Sequence, residues 1–131
     1  MGDVGSILLG FVFAALVVML ARNYLEMVCY AALLFPFYAD ELTTMAVRLQ
    51  DHESLVQSHR RHLYQLLVNE AGMAHWKVTL IYAAAQLAVG VGVLTAGAYG
   101  VRPVVLFLTA CFIAFALVSL LIRRQINKVR S

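Results

Sequence analysis

The stretch that decides the fold runs from Ala39 to Lys77, ADELTTMAVRLQDHESLVQSHRRHLYQLLVNEAGMAHWK. It lies between two apolar blocks and holds all four histidines and five of the seven acidic residues. Leu42, Met45, Leu49, His52, Val56, His59, Leu63, Leu66, Glu70 and Met73 follow alternating steps of three and four, which puts them on one helix face. The spacing predicts an amphipathic helix over 39–77 with a heptad seam of Leu42, Met45, Leu49, Val56, Leu63 and Leu66, interrupted by His52 and His59. Asp40, with Glu41 beside it, suits the start of that helix, and Ala71–Gly72 suits its end.

The flanking sequence sets the solvent. Of 131 residues, 63% are hydrophobic and 13% charged, against about 25% charged in soluble domains. That much apolar surface has no place in a soluble core of this size, so a membrane is expected. Val4–Ala21 is just long enough to cross a hydrocarbon layer. Asp3 precedes it and Arg22 follows, the reverse of a cleaved signal peptide. The helix is expected to continue through Met27–Tyr38, from about Ser6 to Phe35, and to stop or kink at Pro36. On it Arg22 and Glu26 are four apart and form an intramembrane or interfacial polar pair.

Beyond the polar stretch, His75, Trp76 and Lys77 read as an interface anchor. A second span follows from about Val78 to Gly100. Ala84, Ala88, Gly92, Ala96 and Gly100 recur every fourth position in it, a ridge that lets another helix approach closely. Ala83, Gly90 and Gly97 form a second small-residue row at heptad spacing. The turn at Gly100, Arg102 and Pro103 is so short that the third span, Val104–Ile122, must return antiparallel. Ala110 and Ala114 give that span a smaller version of the same face. Arg123, Arg124, Lys128 and Arg130 form a basic tail suited to anionic lipid headgroups.

The expected fold is therefore an all-α integral membrane protein with three transmembrane helices. A cytoplasmic amphipathic helix lies between the first and second spans, and the second and third form a tight antiparallel hairpin. Its parts are an N-terminal span with an interfacial extension (1–38), the heptad helix (39–77), the hairpin (78–122) and the tail (123–131). Nine of the ten basic residues then share one side with the polar helix, counting Arg22 at its border. The positive-inside rule makes that side cytoplasmic and leaves the N-terminus outside.

Little in the sequence points to chemistry. The formal charge of +3 sits beside apolar spans and carries no nucleic-acid signature. Cys29 and Cys111 fall in apolar runs, where a thiol packs as a small hydrophobe. His52, His59, His62 and His75 are the only candidates for metal or proton work, and the metal set among them, His52, His59 and His62, lacks the i, i+4 pair of a zinc helix. No histidine lies inside a span to ligate haem, and the second and third spans carry no ionisable residue for ion passage. No cofactor and no catalysis are expected. The expected partners are membrane lipids and other membrane subunits or further copies of the chain. Its role would be that of an accessory or scaffold subunit. The rivals are a self-assembling, holin-like pore and a pH or metal sensor acting through the histidines.

Overall fold

The computed structural model describes residues 3–50 and 62–130. All regular structure among them is helical: α1 (Asp3–Leu20), α2 (Tyr24–Ala31), a 3-10 turn (Ala32–Leu34), α3 (Phe35–Gln50), α4 (Leu63–Asn69), α5 (His75–Gly97) and α6 (Val101–Arg130). Two stretches, His75–Gly97 and Val101–Ile126, are long and apolar enough to cross a membrane, while the apolar part of α1, Val4–Leu20, is shorter.

The first helix does not continue to Phe35. It stops at Leu20, and Asn23 takes an extended conformation (φ −153°, ψ 169°) as the N-cap of α2. Its Oδ1 accepts the Glu26 N–H at 2.9 Å, while Glu26 Oε2 accepts the Arg22 N–H at 2.9 Å. Asn-x-x-Glu is a capping-box pattern, and it supplies acceptors for donors that a helix start leaves open. Glu26 thus engages the backbone of Arg22, where a side-chain pair was expected. The expected break before Pro36 is present as a change of helix type. The chain tightens into the 3-10 turn and Pro36 falls in the first turn of α3, where its missing N–H costs nothing.

Stretch 39–77 is divided. α3 has already begun at Phe35, and the backbone is extended at His62 (φ −63°, ψ 146°), where α4 starts. Gly72 (φ 65°) and Ala74 (ψ 136°) then separate α4 from α5, which begins at His75 and so includes Trp76 and Lys77. A one-helix seam needs unbroken helical geometry, which those extended residues do not give. Its members differ accordingly: Leu63 is buried and Leu66 half-buried, but Leu42, Met45 and Leu49 are exposed. Val56, His52 and His59 lie outside the described residues.

The inward face of α3 is instead Pro36, Ala39, Asp40, Thr43 and Thr44. This helix turns its polar side to the protein and its leucines outward, the reverse of a helix on a soluble core. The contacts fix its direction. Cys29 Sγ lies 3.3 Å from where a Cβ on Gly97 would sit, Leu33 Cδ2 lies 3.3 Å from the same position on Gly90, and Asp40 meets Tyr82. As the first chain segment ascends from 29 to 40, α5 descends from 97 to 82. Residues 24–50 therefore run along α5 in the opposite sense, and Thr44 reaches Arg123 near the far end of α6.

α5 and α6 are joined through Ala98–Gly100, with Gly100 at φ 102°, a conformation that favours glycine. The Phe107 ring of α6 occupies the space beside Gly92. Cys29, Ala32, Val89, Val93 and Val104 are the buried centre where these segments meet, with Leu25, Phe35, Ala96 and Phe107 around it. Small residues here substitute close helix approach for bulky filling. By contrast, α1 has only Val17 buried among its described side chains, and packs chiefly on α2 where the two meet.

Candidate functional site

Polar groups converge at one place, around Asp40 on α3. It is 4% exposed. A carboxylate taken from water must recover its lost hydrogen bonds from the protein. Asp40 does so from three elements: Oδ1 accepts the Leu63 N–H of α4 at 2.8 Å and the Thr44 hydroxyl at 3.4 Å, and Oδ2 accepts the Tyr82 hydroxyl of α5 at 3.0 Å. Arg123 of α6 completes the cluster. Its Nη2 donates to Thr44 Oγ1 at 3.0 Å and its Nε to Ser119 Oγ at 3.2 Å, and Ser119 is 1% exposed. Four helices are tied together by one connected set of hydrogen bonds.

Local sequence explains the arrangement. Asp40 and Thr44, like Ser119 and Arg123, are four apart and so share a helix face. Thr43 folds its hydroxyl back to the Ala39 carbonyl at 2.7 Å, which satisfies it without a partner helix. α4 is held at its start by two contacts: the Leu63 N–H on Asp40, and the Gln65 side chain, whose Oε1 accepts the His62 N–H at 3.3 Å.

Beside the cluster, α3, α4 and α5 enclose a pocket of about 530 Å³. Phe37, Val68, Val78 and Ala83 supply apolar wall, and Asp40, Glu41, His62, Tyr64, His75, Thr79 and Tyr82 supply polar groups. His62 Nδ1 is 3.8 Å from Glu41 Oε2, and the His62 ring stacks on Tyr64 with centroids 5.9 Å apart.

The expected site residues fall in different places. Of the proposed metal histidines only His62 is described, and no group of three or more metal-ligating side chains occurs among the described residues. On the small-residue ridge, Gly92 and Ala96 face the protein, Gly100 belongs to the turn, and Ala84 and Ala88 are exposed. In the second row Gly90 and Gly97 pack on Leu33 and Cys29, and Ala83 is exposed. In the basic tail, Arg124 and Lys128 are exposed on a continuing α6, and the Arg130 side chain lies outside the description. Arg123 turns inward to Thr44 and Ser119, where a headgroup contact was expected. Asp40, Thr44, Tyr82 and Ser119 were not singled out as a site in the sequence. The two polar i, i+4 pairs, each bordering an apolar run, were the signal that pointed to it.

No family model, curated protein or solved structure matches the chain.

Proposed function

We propose that the chain is a non-catalytic integral membrane subunit that works by packing against other membrane helices, as an accessory or scaffold component of a larger assembly or as a homo-oligomer. The observation that carries this reading is α1, an 18-residue helix that contributes one buried side chain to its own protein. Val4, Phe11 and Met19 are 82%, 70% and 80% exposed. A helix so placed gains its free energy from lipid or from a neighbouring helix. The outer sides of α5 and α6 support the same conclusion, with Leu80, Leu87, Leu106 and Leu121 bare while the polar cluster is satisfied inside.

In this reading α1, the α2–α3 segment, α5 and α6 each traverse the bilayer. The register of α2–α3 against α5 favours four crossings over three. Arg22 then lies at the same end as Arg102, and Arg48, Lys77, Arg123, Arg124 and Lys128 lie towards the opposite, cytoplasmic end. The N-terminus moves to the cytoplasmic side, while the polar segment and the C-terminus stay there.

Gly10 on α1 has nothing within 4 Å, and Ala88 on α5 is exposed. Gly10→Leu and Ala88→Leu should therefore leave the isolated chain as stable as the wild type, within about 0.5 kcal/mol. Each should reduce co-purification of partner chains or the oligomer band after native extraction. Unchanged association in both variants overturns the reading.

A further inference from the structure

The pocket between α3, α4 and α5 has a composition that selects a ligand. Its volume, about 530 Å³, lies within the roughly 300–1,000 Å³ usual for small-molecule sites. Two carboxylates line it, Asp40 and Glu41, and no lysine or arginine does among the described residues. Asp40 is occupied by its three donors. Glu41 is not: its side chain is 60% exposed, and its one partner among the described residues, His62 Nδ1, stands at 3.8 Å, beyond hydrogen-bond length. The same space is lined by the Tyr64 ring, on one face of which the His62 ring stacks, and by the apolar Val68 and Val78.

We propose that this pocket binds an organic ammonium ion with an apolar body, whose N–H groups donate to Glu41, whose charge lies over Tyr64, and whose body rests on Val68 and Val78. A carboxylate recognises an ammonium through charge-assisted hydrogen bonds. An aromatic face adds cation–π attraction. An anion of the same size meets two carboxylates and is repelled. The ammonium can come from a free amphipathic amine or from an aminoalkyl lipid headgroup, and the inference does not depend on what the chain assembles with.

The test uses purified full-length protein in a nonionic detergent, with dodecylammonium as probe and dodecyl sulfate and dodecanol as controls. Dodecylammonium should raise the thermal midpoint and alter the emission of Trp76, which adjoins His75 at the pocket, while dodecanol leaves both unchanged and dodecyl sulfate gives no rise in the midpoint. Glu41→Gln should weaken the response about tenfold, a loss of ~1.4 kcal/mol. Thr79→Trp, which fills the pocket from an exposed position on α5, should abolish it. Retention of phosphatidylethanolamine over phosphatidylcholine in native mass spectrometry identifies the lipid source, and a dodecylammonium response without that retention identifies a free amine. An equal response to dodecanol, or an undiminished one in Glu41→Gln, overturns the proposal.

Discussion

Asp40 is the residue on which the hydrogen bonds from α4 and α5 to α3 converge. Removing it leaves the Leu63 N–H, the Thr44 hydroxyl and the Tyr82 hydroxyl without their acceptor in a buried place. Removing Tyr82's hydroxyl deletes one donor and leaves the carboxylate with two. Leaving a buried donor without its acceptor costs about 1–3 kcal/mol, and losing one hydrogen bond to a charged group about 1.5–3 kcal/mol. Asp40→Ala, which strands three donors, should accordingly destabilise the protein by about 3 kcal/mol or more, and Tyr82→Phe by about 1.5 kcal/mol, measured by unfolding in mixed micelles. Equal losses would remove Asp40 from its central position. The sequence made Asp40 legible as an acidic residue near a helix start, because acids are favoured there. Its burial was not legible, since that depends on Tyr82 and Arg123, 42 and 83 positions away in the chain.

At the level of elements, the outcome separates what periodicity encodes from what it does not. Among the described residues the three-and-four spacing over 39–77 falls on separate helices, ending at Gln50, over Leu63–Asn69 and from His75, and it is blind to the extended residues His62 and Ala74 at their starts. It also cannot say which side of a helix faces in when lipid is the solvent, and α3 turns the leucine stripe outward. For α5 the small-residue rows were legible, but which members of each row met their own chain was not. That distinction predicts different mutational behaviour. A leucine at Gly97 drives extra carbons towards Cys29 Sγ, which is already 3.3 Å from the Cβ position. Overpacking of this kind costs about 1–3 kcal/mol, so Gly97→Leu should lower the unfolding midpoint of the isolated chain. The break before α2 is equally specific. Asn23→Ala loses the cap on Glu26 and should cost about 1 kcal/mol, whereas an uninterrupted helix through this region would gain from alanine. A stabilised Asn23→Ala variant would refute the break.

For the whole molecule, composition alone implied a lipid environment, and two helices of the structure have the length and apolarity to span one. The number of crossings depends on a fact that composition does not hold, namely that residues 24–50 lie along α5. Four crossings are tested by impermeant maleimide labelling of single cysteines in a background lacking Cys29 and Cys111. Arg102→Cys should label in intact cells, and Asp3→Cys only after permeabilisation. Labelling of Asp3→Cys from outside would restore three crossings and the exported N-terminus.

The hydrogen bond between Thr44 and Arg123 joins positions 79 residues apart. During synthesis α3 and its bonds to Asp40 from Leu63 and Tyr82 are in place before Arg123 has been made, so this last contact of the cluster waits for α6. A ribosome that stops short of α6's last turns therefore releases a product whose Thr44 and Ser119 lack their guanidinium partner. Closure of this one contact therefore marks that α6 has been made as far as Arg123 and has returned to α3.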